Sequence, residues 1–335
     1  MQSADHLPYI PEVLPRNFTD RLRSRETLLL LLLAAVICIN SLLSPYFLDI
    51  YNLADSTQNF SEKAVVVLSM ALVIIGREID ISVASIIALC GVVMGAAAAH
   101  GLDTWLIITI GLGAGTLAGA VNGLLVTRLE LPSIIVTIGT MSLYRGIAFI
   151  VLGDQAYTDF PDSFTAIGQS YFFEDIIPVQ FIIFILLAVV VWYFLHATIF
   201  GRRLYAIGNN PVAARYSGIR VDSYRLWLLT LNGFTSALAA LLLVSRIATA
   251  RPNMANGWEL EIITIVILGG VNIFGGSGKI PGVILAVLLI GMVQFGMQLI
   301  NIPGIIMSIF TGVLLIISLV LPILFEKIYA RKRNS

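Results

Sequence analysis

TLLLLLLAAVICINSLLS, residues Thr27 to Ser44, holds no charged side chain and no alternation of polar with apolar positions. A bilayer core about 30 Å thick is crossed by roughly 20 helical residues rising 1.5 Å each. Lipid offers no partner to a free backbone amide or carbonyl, so only helices and closed barrels can cross it. A continuous apolar run fits the helix; a barrel strand would alternate. Nine more runs of this kind follow at 62–76, 81–100, 104–126, 133–152, 179–197, 224–245, 260–275, 281–299 and 304–325. The expectation is an all-α polytopic membrane protein with about ten transmembrane helices, the second and eighth short.

The composition agrees. Of 335 residues 58% are hydrophobic and only 12% charged, with a mean hydropathy of +0.93. About 25% of the residues in a soluble domain are charged, so most of this chain's surface must face lipid. The net charge of zero is uninformative about nucleic acid, and no such partner is expected. Cys38 and Cys90 lie in apolar runs and read as small core residues. His6, His100 and His196 have no metal-ligand spacing, so no metal and no cofactor is expected on this chain. Residues 1–26 read as a polar cytoplasmic segment, not a cleavable signal, because the first apolar run starts late and no small-residue cleavage site closes it.

Basic residues set the orientation. With the N-terminus inside, ten crossings put sixteen of the twenty basic residues on the cytoplasmic side. They include Arg16, Arg21, Arg23, Arg77, Arg128, Arg202, Arg203, Arg215, Arg220, Arg225, Lys279 and the tail 326–335. Lys63, Arg145, Arg246 and Arg251 are left outside. The domain organisation is then one permeation domain, 27–325, with an acidic, aromatic outer loop at 153–178 and a basic inner loop at 198–224.

Three motifs interrupt the apolar pattern. In Gly76-Arg77-Glu78-Ile79-Asp80-Ile81-Ser82 three ionisable residues fall within four positions. This is either a solvated cytoplasmic turn or a broken helix lining a pathway, where irregular backbone is tolerated against protein or water; Asp80 and Ser82 can both accept from free amides at a helix start. In the stretch Phe200–Ile219, Asn210 before Pro211 is a helix start and Gly218 a stop. Between them lies a short helix with a small-residue face suited to a groove on a partner protein. The stretch Leu268–Gly282 is glycine-rich, but Ile280 follows Lys279 and Ile273 stands where a phosphate-binding loop needs glycine, so it reads as a packed turn. Gly111, Gly115, Gly119 and Gly123 repeat every four positions and allow close helix packing.

Together, and in this order, the motifs resemble the permease subunits of bacterial ATP-binding-cassette sugar importers of the ribose, xylose, rhamnose and autoinducer-2 type. The family's G-G-I-D-L-S-V-G signature is similar to Gly76–Ala84, with an extra charged residue and a final alanine. Its A-I-G-x-N and A-A-x-x-S-G-I segments match Ala206–Ile219, and its late E-L-x-x-I and glycine-rich segments match Glu259–Gly278. Residues 141–146 and 153–157 look most like rhamnose permeases.

The resemblance implies a cytoplasmic ATPase that binds and hydrolyses ATP, a periplasmic or lipid-anchored sugar-binding protein, a second permease subunit (the same or different), and a multi-pass location in the inner membrane. It implies ATPase coupling through Gly201, Gly208, Asn209, Asn210, Pro211, Ala213, Ala214, Ser217 and Gly218, so that Gly208→Glu or Ala213→Asp should fold yet lose coupling. The pathway candidates are Asn59, Glu78, Asp80, Ser82, Thr140, Tyr144, Arg145, Trp258, Glu259 and Gln294, with Asn253 another outer-side polar residue. Planar polar groups and aromatic faces suit a sugar. An ion-coupled secondary transporter is the rival reading, disfavoured by the scarcity of acidic residues in the spans beyond 77–80. No His, Cys or Asp/Glu cluster suggests an enzyme.

Overall fold

The computed structural model describes residues 25–173 and 176–333. His6, Arg16, Arg21 and Arg23, with most of the polar N-terminal segment, lie outside the described residues.

The long apolar runs form helices α1 (Arg25–Leu43), α2 (Ile50–Ile75), α3 (Val83–Ala99), α4 (Thr104–Arg128) and α5 (Ser133–Leu152), then α7 (Val179–Ala197), α10 (Val221–Ile247), α12 (Ile280–Leu299) and α13 (Gly304–Arg333). Between them lie α6 (Asp162–Gln169), a hairpin of β1 (Tyr171–Phe172) and β2 (Ile177–Pro178), α8 (Ile199–Asn209), α9 (Pro211–Tyr216) and α11 (Trp258–Leu268). Among the described residues seven helices are long and apolar enough to cross a membrane: α1, α2, α4, α5, α7, α10 and α12; α3 and the start of α13 are shorter apolar helices. The chain is a helical, multi-pass membrane protein.

Three elements differ from the sequence reading, each for a physical reason. Helix α2 begins at Ile50 rather than 62. Its first half is polar, but Ser56, Gln58, Ser61 and Glu62 are turned into the protein and buried, and Asp49 caps it by accepting from the Tyr51 and Asn52 amides, both at 3.1 Å. Helix α11 has 11 residues, not the sixteen of 260–275. It ends where Gly269 packs on the backbone of Val283, and Gly270 then turns at φ +93°. At 1.5 Å per residue α11 spans only about 16 Å, half a bilayer. The inner loop 198–224 holds two helices, since α8 precedes the anticipated short one.

Burial divides the bundle into core and rim. Helices α2 and α10 are interior, with 89% and 78% of their apolar windows buried, whereas α1 is 6% buried and exposes Leu31 and Leu42. Apolar rim surface on this scale faces lipid. The glycine stripe of α4 lets α10 approach. A Cβ on Gly119 would lie 2.4 Å from the Leu229 carbonyl oxygen, and one on Gly115 2.7 Å from that of Gly233.

The loops sort onto two faces. On one, Lys279 pairs with Glu26 at 2.8 Å and the Gly276 amide donates to the Ile75 carbonyl at 2.9 Å. On the other, Tyr157 bridges Ala250, Thr104 and Ser163 share a hydrogen bond at 2.6 Å, and the Tyr171 hydroxyl donates to Asp55 at 2.7 Å. Alternate connections therefore meet at opposite ends, and the first face carries Arg77, Arg215, Arg225 and Lys279.

Candidate functional site

On the basic face the three motifs, far apart in sequence, touch one another. Gly208 lies so close to α2 that a Cβ there would sit 2.0 Å from the Ile75 carbonyl oxygen and 2.3 Å from the Gly276 amide. Asn209 donates to the Gly276 carbonyl at 3.2 Å, and the Tyr205 hydroxyl to that of Gly278 at 2.7 Å. Gly275 packs on the backbone of Arg77, whose φ is +68°. Gly208→Glu cannot therefore leave the fold intact, contrary to the sequence-based expectation, because backbone surrounds the site on two sides.

The short helix α9 starts as its sequence suggests. The Asn210 carbonyl Oδ1 accepts from the Val212 and Ala213 amides at 3.1 and 3.0 Å, and Gly218 turns at φ +81°. Of the nine coupling candidates, Gly201, Gly208 and Ala214 are buried; Asn209, Asn210, Ala213, Ser217 and Gly218 are exposed, and Pro211 is half-buried. Val212 and Tyr216 project from α9, Tyr216 being 90% exposed. Beside them opens a groove of about 590 Å³ lined by Arg77, Glu78, Pro132, Ile134, Asn209 and Arg225 among others.

Within segment 76–82 the acidic side chains are turned into the protein. Arg77 is exposed, but Glu78, Asp80 and Ser82 are buried. Glu78 forms an ion pair with Arg225 at 2.6 Å, and the Ile79 amide donates to the Ser133 hydroxyl at 3.1 Å. Asp80 accepts from the Ser82 amide at 2.9 Å, the Ser82 hydroxyl at 2.6 Å and the Asn232 amide at 2.9 Å. It also sits at the start of α3, where the helix dipole favours an anion. Ser82 takes no capping role of its own, since its hydroxyl donates to Asp80. From Ser82 the bonds continue through Asn122 (2.8 Å) to the Tyr144 hydroxyl (3.2 Å), and from Asn232 to Ser69 (2.6 Å).

Toward the opposite face, a polar cavity of about 160 Å³ opens between α2, α10, α11 and α12. Asn59, Trp258 and Gln294 line it with Glu62, Lys63 and Arg246. Arg246 donates to Glu62 at 2.6 Å, Lys63 pairs with Glu261 at 2.8 Å and lies 5.1 Å over the Trp258 ring, and Gln294 donates to Glu261 at 2.9 Å. A second cavity of about 320 Å³ shares Lys63, Trp258, Gln294 and Gln298 and extends to α13.

The structure thus gathers only three of the ten pathway candidates, Asn59, Trp258 and Gln294, at one cavity. Asp80, Ser82 and Tyr144 belong to the buried hydrogen bonds, and Glu78 to the basic face. Arg145 pins the 252–254 loop by donating to the Pro252 and Met254 carbonyls at 2.7 and 2.8 Å. Thr140 is buried along α5, donating to the Thr137 carbonyl at 3.4 Å, and neither Glu259 nor Asn253 lines the cavity. None of residues 141–146 and 153–157, which carry the likeness to rhamnose permeases, lines it either. Glu62, Lys63, Arg246, Glu261, Asn122 and Asn232 were missed. Only Lys63 and Arg246 carried a sequence signal, as two of the four basic residues that the charge count left outside. Among the described residues no group of three or more His, Cys, Asp or Glu could hold a metal.

Residues 52–319 match the family described as branched-chain amino acid transport system / permease component. The chain belongs to this permease family. It is 37% identical to the autoinducer 2 import system permease protein LsrD of Enterobacter sp. (strain 638) over 298 residues, covering 87% of this chain and 90% of that protein. It is 34% identical to the ribose import permease protein RbsC of Bacillus subtilis (strain 168), covering 85% and 89%, and 32% identical to RbsC of Haemophilus influenzae, covering 84% and 87%. These permeases are transport components and not enzymes.

Proposed function

We propose that this permease is the membrane-spanning subunit of an ATP-driven importer in the bacterial inner membrane, passing a small, neutral, polyhydroxylated solute into the cytoplasm. The observation that carries the reading is near-full-length similarity to import permeases named for autoinducer 2 and for ribose. The small polar cavity supports it: Asn59 and Gln294 offer amide donors and acceptors, and Trp258 offers a flat apolar face. Every ionisable group identified there has an opposite charge beside it, which suits a solute bringing no charge of its own. ATP is hydrolysed on a separate ATPase that docks on α9, whose Val212 and Tyr216 side chains stand free. A soluble or lipid-anchored binding protein delivers the solute, and a second permease, identical or related, completes the pathway. Rhamnose stays within the solute class on the likeness of residues 141–146 and 153–157, although those residues act away from the cavity.

The test is ATPase stimulation in the assembled complex, in lipid nanodiscs, by binding protein loaded with ribose, autoinducer 2 or rhamnose in turn. Stimulation by one of the three names the solute. No stimulation by any loaded binding protein, with uptake that follows a proton or sodium gradient instead, would replace the reading by the ion-coupled one.

A further inference from the structure

Helices α2 and α10 are joined at successive levels from the basic face to the polar cavity, with partners in opposite chain order. Arg225 meets Glu78 just past the end of α2 at 2.6 Å. Asn232 bonds to Asp80 and to Ser69, and Ser69 also shares a hydrogen bond with Thr235 at 2.6 Å. Arg246 then grips Glu62 at 2.6 Å. Positions 225, 232 and 246 are separated by multiples of seven, close to whole turns, and so fall near one face of α10.

Two apolar helices pack without such groups, and buried charges are costly in a protein interior and in lipid. What polar rungs add to leucine and valine is register. Sliding α2 past α10 by one turn would part Glu62 from Arg246 and Ser69 from Asn232. It would also draw Glu78, just past the end of α2, away from Arg225, while Asp80 at the start of α3 would keep only its Ser82 bonds if Asn232 moved off. The two ends of this pair also sit where transport needs them. At the basic face α9 is tied to the first turn of α10 by the Arg215–Asp222 ion pair and by packing of Ile207, Ala214 and Val221. At the other end Glu62, Lys63 and Arg246 line the cavity.

We propose that α2 and α10 move as one unit, and that Glu78, Asp80 and Asn232 are positioning residues through which displacement of α9 reaches the polar cavity. This rests on the importer reading above. Rigid elements joined by hydrogen bonds and ion pairs are a physical carrier of such coupling.

The experiment uses the full complex of permease, ATPase and binding protein in proteoliposomes, measuring ATP hydrolysis and solute uptake together. Asn232→Asp sets two carboxylates face to face. It is expected to assemble and hydrolyse ATP at the ordinary basal rate while uptake per ATP falls about tenfold. Adding Asp80→Asn puts an amide opposite a carboxylate again and is expected to restore uptake. A merely structural role would lower assembly and uptake together and leave uptake per ATP unchanged; that result overturns the proposal.

A second measurement keeps the native network. Spin labels at Tyr51→Cys and Ser223→Cys, both exposed, in a Cys38→Ser background, report the distance from the far end of α2 to the near end of α10. The distance is expected to be the same with and without ATP, and a change on ATP binding would overturn the proposal. Loss of ATP-dependent uptake in the unsubstituted complex would sink the importer reading, whereas failure confined to the Asn232 and label results leaves that reading standing.

Discussion

Replacing Gly208 by alanine adds one carbon where backbone of α2 and of the 275–278 turn already touches. Neither neighbour can rotate away, so the variant is expected to lose about 1–3 kcal/mol, the usual cost of overpacking, seen as a lower melting temperature in detergent. The sequence showed that a small residue stood here, but not that its neighbours lay in two other motifs. The same gap hid the ion pairs of the cavity. Lys63 and Arg246 were visible as misplaced charges, but their partners depend on which helices are adjacent. Arg246→Ala takes the ion-pair partner from buried Glu62, and is expected to cost about 3–5 kcal/mol. Adding Glu62→Gln removes the buried charge and should recover much of the loss; a double-mutant cycle on thermal unfolding checks both.

At the scale of elements, apolar run length was enough for most helices. Those expected at 133–152 and 179–197 are found with those bounds, because lipid-facing helices must stay apolar from end to end. Hydropathy failed on α2, half of which is polar because it is enclosed by protein, and on α11, where glycine packing ends the helix before its apolar run ends. Asn210, Pro211 and Gly218 marked α9 by local backbone chemistry, which needs no tertiary information. Since Ala213 is exposed on α9, Ala213→Asp is expected to leave the permease folded and its yield unchanged while binding-protein-stimulated ATPase activity is lost. The close contact of α4 with α10 gives a contrasting expectation. Gly119→Leu should force these helices apart and reduce folded protein, measured by size-exclusion profile, without any selective effect on coupling.

Across the whole molecule, the family and transport role were legible because three motifs in order carry them. The solute was not, because the residues resembling rhamnose permeases lie away from the polar cavity, where Arg145 holds the 252–254 loop. Alternate loops meet on opposite faces, so the charge count makes a direct prediction about sidedness. In a Cys38→Ser background, Ser223→Cys should react with an impermeant thiol reagent only from the cytoplasmic side and Asp103→Cys only from outside; the reverse pattern would invert the topology. The central claim is ATP-driven import, and vesicle uptake of labelled ribose, autoinducer 2 or rhamnose by the reconstituted complex tests it most directly. The account predicts uptake of one of them that stops when either ATP or the binding protein is withheld. Uptake that persists without ATP and follows an ion gradient would contradict it.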